Sequence, residues 1–469
     1  MSTATGHADS VSPYLQGAFT PVDREVTAFD LPVEGRIPAE LDGLFTQIGP
    51  NPVQPPKHRT LERYSFFAQD GMVSGVRIQD GGACWFRNRW VRSRRVVKAL
   101  GERRPPGPRH FPMDTVNTNI IAHNGLLLAL VETGCLPVHL GSTLETMEYT
   151  DLGGSLQHGV SAHPKLDPTT GELHLLAYSA LRRWAEYLVL APDSTVCHRQ
   201  RVPLGGRPMV HDIALTPRYV LFFDTPVRFS LGAAVRGALP YTWHDGHQTR
   251  LGVLPRPGVA GGLRWFEIPD GFVFHMVGAH EPDPARIELT AICYDRLFDG
   301  AEEDPIANRG HLWRWTVDLN RGTATADQIG DRPNELPRSD PRRIGQPMRH
   351  YYALTVDGAT DAPVYHPHAL LRHDFRTGEP LIRRLPPGHA ASEPVFVPHP
   401  DRPGEDEGWV AYYEHDPNAD TTKLVWLHAA DFAGEPVATI ALPIRIPVGF
   451  HCSWIEADDF AGTDSAFAH

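Results

Sequence analysis

From residue 64 onward, short apolar segments alternate with turn residues, and helical period is nearly absent. Strands are predicted at 64–68, 73–78 and 84–91, with turns at Gln69-Asp-Gly71 and Asp80-Gly-Gly82. Residues 120–122 and 126–131 read as a hairpin around Asn124-Gly125, because both positions of that turn tolerate a left-handed backbone. Comparable segments recur to 438–442. The best helical candidate is the mostly apolar stretch 229–240; residues 94–112 are basic and Pro-rich and read as exposed loop.

This pattern shows no break in composition, so it predicts a single all-β domain over 41–469 behind an extended lead-in at 1–40. A sandwich rarely reaches 469 residues. Radial repetition of four-stranded blades does, and it leaves only short, protected edges. No strict repeat is visible, so blade number cannot be counted from the pattern.

Composition narrows the function. A net charge of -12 argues against nucleic acid, which favours a basic partner. The five cysteines are dispersed and form no CxxC, so neither a disulfide framework nor a zinc knuckle is indicated. The N-terminal residues lack a basic start followed by an apolar core, and no apolar run approaches the roughly 18 residues of a membrane span. A cytoplasmic protein is expected.

Twenty-five histidines are present. Four stand at junctions of predicted strands and turns: His163, His211, His275 and His451. Neutral imidazole suits Zn, Cu, Fe and Ni. The spacings of 48, 64 and 176 residues (163 to 211, 211 to 275, 275 to 451) form no compact motif. They suit a propeller in which different blades each send one ligand to the axis. By spacing alone, His158, His174 and His280 are equally eligible.

The choice comes from a resemblance. Gly43-Leu-Phe-Thr-Gln-Ile-Gly-Pro-Asn-Pro52, Asp70-Gly-Met-Val73, Arg87-Asn-Arg-Trp90, Asn117-Thr-Asn119, Leu128-Ala-Leu-Val-Glu132, Ser161-Ala-His-Pro-Lys-Leu-Asp-Pro168, Ser392-Glu-Pro-Val-Phe-Val-Pro398 and Gly449-Phe-His451 resemble the motifs of the carotenoid cleavage oxygenase family, which includes stilbene-cleaving members. The resemblance implies a seven-bladed β-propeller with a cap of loops and short helices over the iron-bearing axis. It implies Fe(II) held by His163, His211, His275 and His451. It further implies three supporting glutamates: Glu132 for His211, Glu335 for His275 and Glu393 for His451. A ligating imidazole needs its other N–H held by an acceptor, which fixes tautomer and ring orientation. His163 is then left without a glutamate, so its orientation is expected to come from backbone, water or the Pro164 turn. Thr118 matches a position beside a vacant metal site.

The implied reaction adds both atoms of O2 across a C=C bond and splits it into two carbonyl products. No Ser/His/Asp or Cys/His signature competes with that chemistry. The implied substrate is an apolar polyene, and 229–240 matches a patch able to touch a membrane peripherally. The chain departs from the family at Gln47-Ile48, Gln69 and Cys452. Stilbene-cleaving members carry Lys before the first glutamate, where this chain has Val131, which favours a carotenoid or apocarotenoid over a hydroxystilbene. A non-catalytic propeller binding an apolar ligand or a partner protein is the alternative from another class.

Overall fold

The computed structural model describes residues 11–60, 64–109, 114–132, 135–236, 240–299, 309–356 and 368–464. Short strands dominate among the described residues; they pair into seven antiparallel sheets arranged as the blades of a propeller and one two-stranded ribbon, Val227–Phe229 with Tyr241–Trp243. Each blade keeps one strand nearest the axis, and most consecutive axial strands touch one another. In chain order the axial strands are Asn119–His123, Lys165–Leu166, Ala214–Leu215, Phe272–Asp283, Asn334–Ser339, the pair Ala390–Ala391 and Val395–Pro398, and His451–Glu456.

The last axial strand, His451–Glu456, pairs with Gly43–Pro50 from the other end of the chain, from Gly43↔Glu456 to Ile48↔His451. This pairing closes the ring. Residues of the extended lead-in take part as well. Thr27–Phe29 adds an outer strand to the same blade, and Val33–Gly35 adds one to the preceding blade. Both lie on sheet edges, where a short strand needs only one partner.

Seven apolar clusters fill the seven wedges between neighbouring blades. Period-two alternation serves this arrangement, since each strand presents a face to either neighbour. Inner strands are mostly covered on both faces; Gly43–Pro50, second from the axis, is buried throughout. Outer strands such as Thr323–Gln328 are largely exposed.

Local predictions met different outcomes. Asn119–His123 and Leu126–Leu130 form the expected hairpin, with Asn124 at φ 52 and Gly125 at φ 72. The basic stretch holds a helix at Arg94–Leu100 where loop was expected. The Ser93 side chain accepts from the Val96 N–H, Gly101 ends the helix at φ 70, and Val96 and Val97 are buried. Two apolar residues amid arginines give too short a pattern to register as helical. Residues 110–113 of that stretch lie outside the described residues. The predicted strand at 64–68 is instead a turn of 3-10 helix at Phe66–Ala68. The apolar stretch 229–240 divides into the end of the strand Val227–Phe229 and a helix, Leu231–Arg236; residues 237–239 lie outside the described residues. No helix of the described residues is long and apolar enough to cross a membrane.

Candidate metal centre

Four blades each deliver one histidine to the axis. His163 immediately precedes Lys165–Leu166, His211 precedes Ala214–Leu215, His275 lies within Phe272–Asp283, and His451 opens the closing strand. All four are buried, and one nitrogen from each lies within 4.8 Å of the others. His163 Nε2 is 3.0 Å from His211 Nε2, which is 3.2 Å from His275 Nε2. His158, His174 and His280 are elsewhere. The first bonds Arg182, the second bonds Tyr187 and Arg256, and the third lies beside Glu288.

The remaining three blades supply the support. Glu335 and Glu393 come from the axial segments of the two blades between His275 and His451. His275 Nδ1–H donates to Glu335 Oε2 at 2.6 Å, and His451 Nδ1–H donates to Glu393 Oε1 at 3.0 Å. These bonds commit the Nδ1 protons outward and leave both Nε2 lone pairs pointing at the axis. Glu335 and Glu393 thus each hold one imidazole of the cluster.

Glu132 behaves differently. Its Oε1 is 3.8 Å from His211 Nδ1, too far for a hydrogen bond. That oxygen accepts the backbone N–H of Ala162 at 2.9 Å, and Oε2 accepts the Tyr178 hydroxyl at 2.5 Å. The Ala162 carbonyl is in turn held by Asn119 Nδ2 at 2.8 Å. The expected bond from Glu132 to His211 is therefore absent, and Glu132 instead fixes the backbone just before His163. His211 Nδ1 has no hydrogen-bond partner among the described residues.

Electrostatics follow from burial. Desolvation, with the neighbouring imidazoles adding to it, holds His163 and His211 neutral, well below the usual histidine range. Burial also lowers His451, against the opposing pull of Glu393. At His275 burial pushes down, but the Glu335 carboxylate outweighs it and the net shift is upward. Burial would raise Glu393, yet the Arg338 guanidinium and His451 draw it down to about 2. Glu132 lacks a cation of that kind, and burial lifts it to about 8 despite its two hydrogen bonds.

Two ion pairs, each joining a half-buried cation to a buried carboxylate, were missed in the sequence. Arg338 reaches Glu393 at 2.9 Å and donates to the Cys452 carbonyl at 2.7 Å. Lys165 Nζ is 2.6 Å from Asp212 Oδ1, while Asp212 Oδ2 accepts the Met276 N–H at 2.8 Å. Asp212 thereby joins the segments bearing His163, His211 and His275. The Lys165 and Asp212 positions, each within two residues of a ligand, were the available signal. A glycine contact explains two of the motifs: a Cβ on Gly49 would lie 2.4 Å from Gly449 Cα, so both strands need glycine to bring His451 close.

The donor set fits a divalent transition metal. Ligands at right angles and about 2.1 Å from a metal are about 3 Å apart, the spacing seen here between neighbouring nitrogens. Neutral imidazoles packed at such distances without hydrogens between them repel unless a cation takes their lone pairs.

The centre borders two cavities. Residues just before the ligands (Met209, Phe274, Phe450) face one of about 120 Å³, together with Phe67, Phe298 and Thr118. Residues just after the ligands (Ile213, Met276, Val277) face a second of about 170 Å³, with His163, Lys165 and Arg338. The first is walled by aromatic rings and the second carries charged groups. Thr118 is buried, and its hydroxyl donates to Asn117 Oδ1 at 3.1 Å.

Comparison with known proteins places this geometry. A family profile described as "Retinal pigment epithelial membrane protein" matches residues 19–456. A carotenoid cleavage oxygenase of Mycobacterium tuberculosis is 36% identical, across 97% of this chain and 99% of its own. A lignostilbene dioxygenase of Pseudomonas brassicacearum superposes with a TM-score of 0.85 at 29% identity, covering 95% of this chain and 98% of that one. A cobalt-substituted Synechocystis apocarotenoid oxygenase superposes with a TM-score of 0.82 at 27% identity, covering 93% and 97%.

Proposed function

The chain belongs to the carotenoid cleavage oxygenase family, and on that premise we propose that it is a non-haem Fe(II) dioxygenase cleaving a C=C bond of a carotenoid or apocarotenoid. The observation that carries the reading is the four-histidine centre set against an aromatic-walled cavity. His163, His211, His275 and His451 would hold the iron, supported by Glu335 and Glu393 and, through the His163 backbone, by Glu132. Bound Fe(II) supplies the capacity to activate O2 for addition across a double bond. Both oxygen atoms end in the two carbonyl products, so no proton needs to be delivered or removed.

The protein's own contribution is placement. Phe67, Phe274, Phe298 and Phe450 offer ring faces to a planar polyene and exclude water from its reacting carbons. Thr118, with its hydroxyl committed to Asn117, gives the cavity a small wall beside the histidines, and we assign it the role of leaving room for O2. The proposal includes a cytoplasmic location with peripheral membrane contact through 229–240, where Leu231 is 68% exposed.

A stilbene substrate is the second reading, favoured by the superposition on a lignostilbene dioxygenase. Val131 in the cavity wall opposes it, since this position holds no lysine for a phenolic oxygen. Reconstitution with Fe(II) without oxygen, then exposure to carotenoids, apocarotenoids and hydroxystilbenes under labelled O2, tests both. Mass analysis should find label in two carbonyl fragments of a polyene. Fragments from stilbenes alone would favour the second reading, and an absence of fragments from every compound would exclude both.

A further inference from the structure

Two buried side-chain atoms in the wall of the aromatic cavity lack a hydrogen-bond partner among the described residues, metal-facing nitrogens aside. One is His211 Nδ1, which belongs to the metal centre; the other is the hydroxyl of Tyr241. The other polar side chains of that wall are engaged. Asn117 Nδ2 donates to the carbonyls of Phe67 and Gln69, Thr118 donates to Asn117, and Glu132 accepts from Tyr178 and Ala162. Other buried phenols also have partners: Tyr149 donates to the Asp114 carbonyl, Tyr351 to Asn334 and Tyr413 to the Phe45 carbonyl. Tyr352 shares the lack of a partner but packs in a blade wedge against Phe396 and Phe432.

Tyr241 is held rigidly. It begins the strand Tyr241–Trp243, which pairs with Val227–Phe229 so that Tyr241 stands opposite Phe229. The ribbon is fastened by Ser230 N–H to the Pro240 carbonyl and by Trp243 N–H to the Phe298 carbonyl. Phe298 and Pro240 line the same cavity. A phenylalanine would fill this position without an unpaired hydroxyl, which costs about 1–3 kcal/mol when buried.

We propose that Tyr241 is a recognition point for one neutral oxygen, a carbonyl or hydroxyl, carried by an otherwise apolar polyene. The inference rests on the cleavage function proposed above and narrows its substrate to oxygen-bearing polyenes. Neutrality follows from the surroundings. The phenol is fully buried and stays protonated, so it donates to an acceptor. A carboxylate would enter this buried wall without a cation, since the position before Glu132 is Val131. A site built to bond an oxygen discriminates against the analogue without it, because the site's own group is then left unpaired.

The test is binding without turnover. Metal-loaded protein is titrated without oxygen, by quenching of tryptophan fluorescence, with an apocarotenal, the hydrocarbon of equal length and the corresponding acid. The aldehyde should bind about tenfold more tightly than the hydrocarbon and more tightly than the acid. In Tyr241→Phe, the aldehyde-to-hydrocarbon ratio should fall to within about twofold of unity. Tyr241→Leu is the second variant should the first fail to fold, and the wild-type ratio requires no variant. A wild-type ratio near unity, a ratio unchanged in the variants, or binding of neither compound overturns the proposal. Cleavage of the same compounds in air is scored separately. Selective aldehyde binding without any cleavage would defeat the dioxygenase reading and leave the role of Tyr241 intact.

Discussion

Glu132 accepts the backbone N–H of Ala162 at 2.9 Å, one residue before His163. The carboxylate therefore positions a ligand through the main chain and leaves every imidazole proton alone. With Asn119 holding the Ala162 carbonyl, both polar groups of that residue are fixed from the neighbouring blade. The backbone leading into His163 is thereby held on both sides of Ala162.

Glu132→Gln separates this role from an imidazole-orienting one. The amide retains an acceptor for Ala162 N–H, so iron content at saturating metal should stay near one per chain. Glu132→Ala removes the acceptor and should lower metal affinity about 10- to 100-fold, the range found when support of a ligand is lost. Equilibrium metal titration of both variants is the measurement. Equal losses in the two would count against the backbone role.

His275→Ala removes a ligand and leaves the buried Glu335 without its partner. Stoichiometric iron should be lost, and O2 uptake with a polyene should fall at least about a hundredfold. His158→Ala is the control; that residue bonds Arg182 outside the centre, and its loss should leave iron content unchanged. Elemental analysis and an oxygen electrode suffice.

Arg338→Met strands the Glu393 carboxylate in a dry site. Because Arg338 is itself half-buried, losing it should cost about 1–3 kcal/mol, the range for a buried group left unsatisfied. Arg338→Met, Glu393→Gln should recover part of that loss, since the amide carries no charge to strand. Denaturant unfolding of the metal-free protein would read both, and additive losses in the double variant would exclude the pairing.

His373 offers a pH dependence separate from the metal. Burial, against the opposing pull of Asp374, lowers it to about 4 from 6.5. The unfolded chain therefore binds more protons between those values, and stability rises with pH across that window. The contribution is complete above pH 6.5 and is lost as pH falls through 4. It amounts to about 3 kcal/mol by linkage. His373→Phe, which fits beside Tyr351 and Phe375, should unfold at a higher temperature than wild type at pH 4.5 relative to pH 7.5. Parallel melting curves for the two proteins at both pH values would refute this.

Much of the centre was legible because its motifs carry local constraints. The Asn124-Gly125 hairpin is dictated by two residues that tolerate positive φ. Gly49 and Gly449 mark a contact that admits no side chain. Period-two alternation revealed a β-protein, because each strand must cover a wedge on either side. The helix Arg94–Leu100 escaped notice since only Val96 and Val97 are buried, too few to show a period.

By itself the sequence determined the all-β architecture and, through motif resemblance, singled out the four histidines that cluster on the axis. These are properties of short segments, in which each residue's neighbours along the chain already restrict its backbone. Tertiary structure alone decided which polar groups meet. The ion pairs Lys165–Asp212 and Arg338–Glu393, the turn of Glu132 toward Ala162 and the unpaired hydroxyl of Tyr241 all depend on distances between blades. A carboxylate written beside an apolar run has to find a partner once buried. Which partner it finds depends on ångström-scale placement across the axis, and no spacing along the chain encodes that.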